Sequence, residues 1–199
     1  MNISEHTNIE VVKACLDNEP MAFISLPDKY KNEPEVLRMV IKSCPQLIYH
    51  SKAVLNYDEY EQIIKKHGEL IAYVPAHLQD SNMVELALNS KGFKAYARLA
   101  NKNIELTKNR IAELYIKTDM VYRAFIHYWL KGDQQALSTA TDETRNKIAH
   151  ICNLITEKNS ALATLINLDL SMTETQRIVK RTLIDTTKEE EIQVGLPHL

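Results

Sequence analysis

The chain has 199 residues, 45% of them hydrophobic and 25% charged, with a formal net charge of −2. This is the composition of a folded globular protein, with room for one compact domain or a short repeat array. The charge is evenly spread, with 12 basic and 14 acidic residues up to Glu105 and 12 of each after it, which is not the footprint of a dedicated nucleic-acid binder. The three cysteines, Cys15, Cys44 and Cys152, are far apart and odd in number, so reduced thiols and a reducing, cytoplasmic location are expected. The first residues show no basic stretch followed by an apolar core, so no secretory leader is expected. No apolar run approaches the length of a membrane span. Only 4 glycines occur, and a Gly-poor chain rich in Leu, Ile, Lys, Glu and Ala favours helix.

The first half repeats itself. Thr7, Asn32, Asn56 and Asp80 are good helix N-cap types, spaced 25, 24 and 24 residues apart. Glu10, Glu35 and Glu59 follow the first three at the distance of a capping box. Four, seven and eight residues after each cap come Val11, Ala14 and Cys15; Val36, Met39 and Val40; Tyr60, Ile63 and Ile64; Val84, Ala87 and Leu88. These offsets share one helical face. Helices are therefore predicted near 8–18, 33–42, 57–66 and 81–90. Gly68 and Gly92 are read as left-handed helix stops, and Pro20 and Pro45 as the stops of the other two units. A short second helix in each unit is expected to bury Ala22-Phe23-Ile24, Leu47-Ile48-Tyr49, Ile71-Ala72-Tyr73 and Ala95-Tyr96-Ala97. Such a unit buries its apolar face only by stacking on neighbours, the logic of a helical solenoid. It is shorter than the ~34-residue tetratricopeptide or ~33-residue ankyrin pattern.

After Thr107 the pattern lengthens. Ile111, Leu114 and Tyr115 keep the same offsets, so a fifth helix of this type is expected there. "DMVYRAFIHYWL" places Val121, Tyr122, Phe125, Ile126 and Trp129 on one face, and Gly132-Asp133 ends it. "TDETRNKIAHICNLI" opens on Thr141 or Asp142 and spaces Ile148, Ile151, Cys152 and Ile155 as a helix. Residues 161–170 form another apolar helix, and Ser171 with Glu174 makes a capping box for "TQRIVKRTLI". The fold class expected is all-α: a helical-repeat solenoid of short helix-turn-helix units over 1–105, a small helical bundle over 106–185 packed on it, and a flexible tail over 186–199.

The stretches "FISLPDKYKNEPEVLRMVI", "IKSCPQLIYHSKAVLNYDEY" and "KKHGELIAYVPAHLQDSNMVELAL" resemble the short helical repeats found in many bacterial proteins of unknown function. The resemblance covers residues 7–103. It implies a repeat fold and carries over no catalytic residues. Asn18-Glu19 departs from the Asn/His-Gly turn of that pattern, and Leu99-Ala100 departs from its proline.

Chemistry is sparse. The glycines stand alone, so no phosphate-cradling loop is formed. There is no Cys-x-x-Cys and no His-Glu-x-x-His, so no metal or cofactor is implied. Cys44, His50 and His67 fall in adjacent units and can be drawn as a thiol–imidazole pair, or as a structural cysteine beside solvated histidines. Lys13, Arg38, Lys42, Lys65 and Lys66 recur along the first helices and are either a binding face or a solvated one. Tyr122 and Trp129, with Phe125, are either a stacking platform for a ligand or packing. "TKEEE" is either a solvated charge run or a short export signal, since it resembles the glutamate-rich tails of effectors exported by type IV systems of intracellular bacteria. The function expected first is a non-enzymatic module that binds a protein partner through its repeat face. The alternatives are an enzyme with its site where the array meets the second-half helices, and a nucleic-acid-binding repeat.

Overall fold

The computed structural model describes residues 7–102, 104–168 and 170–194, the last 11 of them by backbone alone. Among the described residues every regular element is helical, as composition and periodicity predict.

Four longer helices begin the units of the first half: α1 (Ile9–Asn18), α3 (Pro34–Ile41), α4 (Tyr57–Ile64) and α5 (Ser81–Lys91). A one-turn helix, α2 (Asp28–Lys31), precedes α3. Asn56 and Asp80 cap α4 and α5 as predicted, and Asn56 with Glu59 forms the reciprocal capping box. The other two starts lie one residue later than predicted. Asn8, not Thr7, caps α1 by accepting from the Glu10 N–H. α3 starts at Pro34, which needs no N–H at that position and brings a helical φ with it. Asn32 instead ties two units together, because its Oδ1 accepts from the Lys52 N–H at 2.8 Å. The shift in α1 rotates its buried stripe, so Val12 and Leu16 are buried while Val11 is 41% exposed.

The second elements also differ from expectation. Three are 3-10 helices, at Pro20–Ser25, Pro45–His50 and Gly68–Tyr73, and a short fourth one covers Ala76–Leu78. The fourth unit instead has a single α turn, α6 (Phe93–Tyr96). Pro20 and Pro45 occupy the first position of their 3-10 helices. Gly68 is not a left-handed stop, because among the described residues only Gly92 and Gly132 have positive φ. Its lack of a side chain serves a close approach: a Cβ there would stand 2.3 Å from the Ala87 carbonyl oxygen. Gly92 makes the same approach one unit on, where a Cβ would stand 2.1 Å from the Leu114 oxygen.

The second half comprises α7 (Lys108–Lys117), α8 (Met120–Lys131), α9 (Gln134–Leu137), α10 (Asp142–Lys158), α11 (Ser160–Asn167) and α12 (Met172–Val194). Thr107 caps α7, and its Ile111, Leu114 and Tyr115 are fully buried. α7 packs on α5 and α6, and α12 lies along α7, where Gln176 Nε2 donates to the Ile116 carbonyl at 3.2 Å. Ser171 and Glu174 form the predicted capping box. The backbone of α12 continues as helix to Val194, through most of the segment read as a tail. Residues 195–199 lie outside the described residues. One hydrophobic core runs from Val12 to Val179, through both halves.

Candidate functional site

Each basic candidate sits in a different local field. Lys13 reaches Glu10 at 3.1 Å and, across the unit boundary, Glu35 at 2.9 Å. Arg38 binds both carboxylate oxygens of Glu59 in the following unit. Asn82 donates to the Tyr57 hydroxyl at 3.1 Å, and Arg110 binds Glu85. A hydrogen-bonded ladder thus links each first helix to the next, at sequence separations of 21 to 25 residues. The pairs hold the Glu35 and Glu59 carboxyls below, and the Lys13 ammonium above, their ordinary ranges. Exposed pairs of this kind are weak, because water and salt screen them and two long side chains must be held still. The ladder therefore fixes register more than it stabilises. Lys65 reaches back to Glu61 at 3.8 Å within its own helix. Arg38, Lys42 and Lys66 do converge: with Gln62 and His67 they line an open groove of about 820 Å³ between the ends of α3 and α4. Lys13 and Lys65 stand outside it.

Tyr122, Phe125 and Trp129 are half-buried and pack against the core, so the structure uses them for packing. Val121 is 63% exposed and leaves that face. Burial pushes the Tyr122 hydroxyl up to about 12. The thiol and imidazole candidates are placed apart in character. Cys152 is buried, its thiol pushed up to about 12 by desolvation, with Sγ 3.8 Å from the Ile126 carbonyl oxygen. Cys44 is half-buried and His50 exposed. His150 stacks on Tyr96 with ring centroids 6.1 Å apart. Among the described residues no group of three or more His, Cys, Asp or Glu is placed to hold a metal ion.

Sequence periodicity alone misses the face of the 3-10 helices. The third member of three of the four apolar triplets, those on the 3-10 helices, is exposed: Ile24 by 40%, Tyr49 by 40% and Tyr73 by 38%, whereas Ala97 is buried. A 3-10 helix has three residues per turn and so three rows of side chains. The row that faces the core carries Phe23 and Leu26, or Ile71 and Val74, and Ile24, Tyr49 and Tyr73 lie off it, although Leu70, three residues before Tyr73, is itself buried. The three exposed residues recur at the spacing of the units, and the Tyr49 and Tyr73 rings lie 4.3 Å apart between centroids. The only advance signal is the proline or glycine that opens each 3-10 helix.

Charged groups border this strip where it meets the second half. Arg98 lies within electrostatic reach of the Tyr49 and Tyr122 hydroxyls and of Glu143. Lys94 pairs with Asp119 at 3.0 Å, and Glu143 pairs with Lys147. Glu69, on the 3-10 helix that carries Tyr73, buries its Oε2 with no donor among the described residues. Tyr49 is pushed above its ordinary pKa chiefly by burial, with Arg98 opposing. It is therefore a neutral hydroxyl, able to donate and accept, at neutral pH.

Set against protein-family models, curated proteins and solved structures, the chain matches none of them. Among the described residues no helix is long and apolar enough to cross a membrane.

Proposed function

We propose that this chain is a non-catalytic helical-repeat module, a solenoid of short units, that binds a protein partner through the face of its 3-10 helices. The observation that carries this reading is the exposure of Ile24, Tyr49 and Tyr73 at the same place in three successive units. Large apolar side chains left out of the core at regular spacing form a strip rather than scattered exposures. Tyrosine and arginine are among the residue types that dominate protein-binding hot spots, and Arg98 stands beside Tyr49. The recurrence of helix, 3-10 helix and ladder pair supports the solenoid arrangement.

The test is site-specific. A photo-crosslinking amino acid replaces Tyr73 in the full chain, and a control carries it at exposed Lys131. Irradiation in the native cell is expected to give a discrete protein adduct from position 73 alone, lost when Tyr49→Ala is added. Equal adducts from both positions, or none from 73, would overturn the reading.

A further inference from the structure

α7, α11 and α12 enclose a partly open cavity of about 400 Å³, within the size range of small-molecule pockets. Ala112, Leu162, Leu165, Val179 and Leu183 form its apolar wall. That wall is aliphatic throughout, so it offers dispersion contacts to a chain and no ring for a flat ligand to stack on. Among the described lining residues there is no acid, and Lys108 carries the one charge. Asn159 fixes the rim. Its Oδ1 accepts from the Leu162 N–H at 3.0 Å, and its Nδ2 donates to the Lys108 carbonyl at 3.1 Å. One side chain thus ties the start of α11 to the start of α7, and the rim is set before any ligand arrives. A side-chain amide has two hydrogens to donate, and the second Nδ2 hydrogen has no acceptor among the described residues. Asn159 is 6% exposed, and a buried donor without a partner is costly. Because Asn159 is part of the cavity wall, an acceptor seated in the cavity can take that hydrogen.

We propose that this cavity binds an aliphatic monocarboxylate, a fatty acid of medium chain length. Its carboxylate sits at the rim, where it accepts the spare Asn159 hydrogen and pairs with the Lys108 ammonium. Its tail lies along Leu162, Leu165, Val179 and Leu183. One cation suits a monoanion. A phosphate or a dicarboxylate would bring a second charge against an apolar wall with nothing to balance it. A neutral alcohol forgoes the charge of Lys108, and a cationic amphiphile is repelled by it. The tail supplies most of the affinity, since each buried methylene strengthens binding by about fourfold, and the carboxylate sets the choice of ligand. The cavity shares no lining residue with the 3-10 helices, so this site and the proposed protein-binding face stand or fall separately.

The experiment titrates the full-length protein with octanoate, decanoate, decanol and decyltrimethylammonium, by calorimetry and by the rise in melting temperature. Decanoate is expected to bind at one site per chain, about tenfold or more tighter than octanoate because two further methylenes are buried. Decanol and the ammonium compound should each bind about tenfold or more weakly than decanoate, for want of a group that Lys108 can pair with. Lys108→Glu should weaken decanoate by about tenfold and leave decanol nearly unchanged. Ala161 and Thr182 are exposed members of the lining, so a large side chain there fills the cavity from outside the core. Ala161→Trp, shown by circular dichroism to keep its fold, should abolish decanoate binding. If that variant does not fold, Thr182→Phe obstructs the cavity from α12 with the same expected result. Equal affinity for decanoate, decanol and the ammonium compound, or decanoate binding unchanged by Lys108→Glu, would overturn the carboxylate site. Decanoate binding that survives the filling variants, or no saturable binding by either measurement at millimolar ligand, would overturn the cavity as a ligand site.

Discussion

His127 is 5% exposed, and its Nε2 lies 2.6 Å from the Tyr115 hydroxyl. Burial, with Lys131 and Arg123 nearby, lowers its pKa from 6.5 to about 4. The folded state therefore holds it neutral while the unfolded chain protonates it. Stability is fully present above about pH 6.5 and falls as pH drops toward 4, by about 2 kcal/mol between pH 7 and pH 5. Urea titrations at the two pH values check this, and His127→Gln should flatten the difference. The glycines give a second contrast. Gly68→Ala drives a Cβ into the Ala87 backbone, where no flexible side chain gives way, and about 2–4 kcal/mol of destabilisation is expected. Gly132 has a φ of 73° with nothing within 4 Å of its Cβ position, so Gly132→Ala should cost only the left-handed strain, about 1–2 kcal/mol. Reversal of that order in denaturant titrations would show that the close approach at Gly68 is soft.

Val40, Ile64 and Leu88 occupy the same place in α3, α4 and α5, and all three are buried to 1% exposure or less. Ile64→Ala removes a packed side chain where two neighbours limit collapse, so a loss of about 2–5 kcal/mol is expected. A value under about 0.5 kcal/mol, far below that range, would mean that α4 rotates to close the gap. In α12 the described anchors lie early: Thr175 and Val179 are buried and Leu183 is half-buried. Deleting residues 186–199 leaves all three in place, and a melting temperature within a few degrees of the parent is expected. A drop of ten degrees or more would show that the last turns of α12 are part of the body. On the 3-10 helices, Tyr49 and Tyr73 are 40% and 38% exposed and pack on each other, so Tyr49→Ala with Tyr73→Ala should lower the denaturant midpoint by the equivalent of about 1–3 kcal/mol, less per side chain than Ile64→Ala.

The two halves share one core, which changes what the boundary near residue 105 means. α7 covers α5 and α6, and Thr118 Oγ1 accepts from the Phe93 N–H at 2.9 Å. Cutting the chain at 105 strips that cover from Leu88, Phe93 and Tyr96, all 3% exposed or less in the whole molecule. The isolated segment 1–105 is therefore expected to unfold near its C-terminal end or to aggregate through the apolar surface so exposed. Size-exclusion chromatography of the fragment beside the full chain checks this. A monomeric fragment with the helicity of the intact array would show that the fourth unit caps itself.

Local chemistry settled the positions of most helices. Asn56, Asp80, Thr107, Thr141 and Ser171 all act as caps, because a cap bond spans three residues and is written in the adjacent sequence. The apolar offsets named Val40, Ile64, Leu88, Ile111, Leu114 and Tyr115 correctly as buried, since periodicity within one helix is local too. The exposed strip could not be read this way. Ile24, Tyr49 and Tyr73 look like core residues until the second element proves to be a 3-10 helix, in which they lie off the row that carries Phe23 and Leu26, Ile48, or Ile71 and Val74. The basic residues divided for a similar reason. Lys13 and Arg38 are absorbed by glutamates about 21 or 22 residues away, while Lys42 and Lys66 are not, and no local pattern distinguishes them. Which charges find partners, and which make no hydrogen bond or ion pair among the described residues, is decided only when the helices pack, because those distances are set by packing across elements and not along the chain.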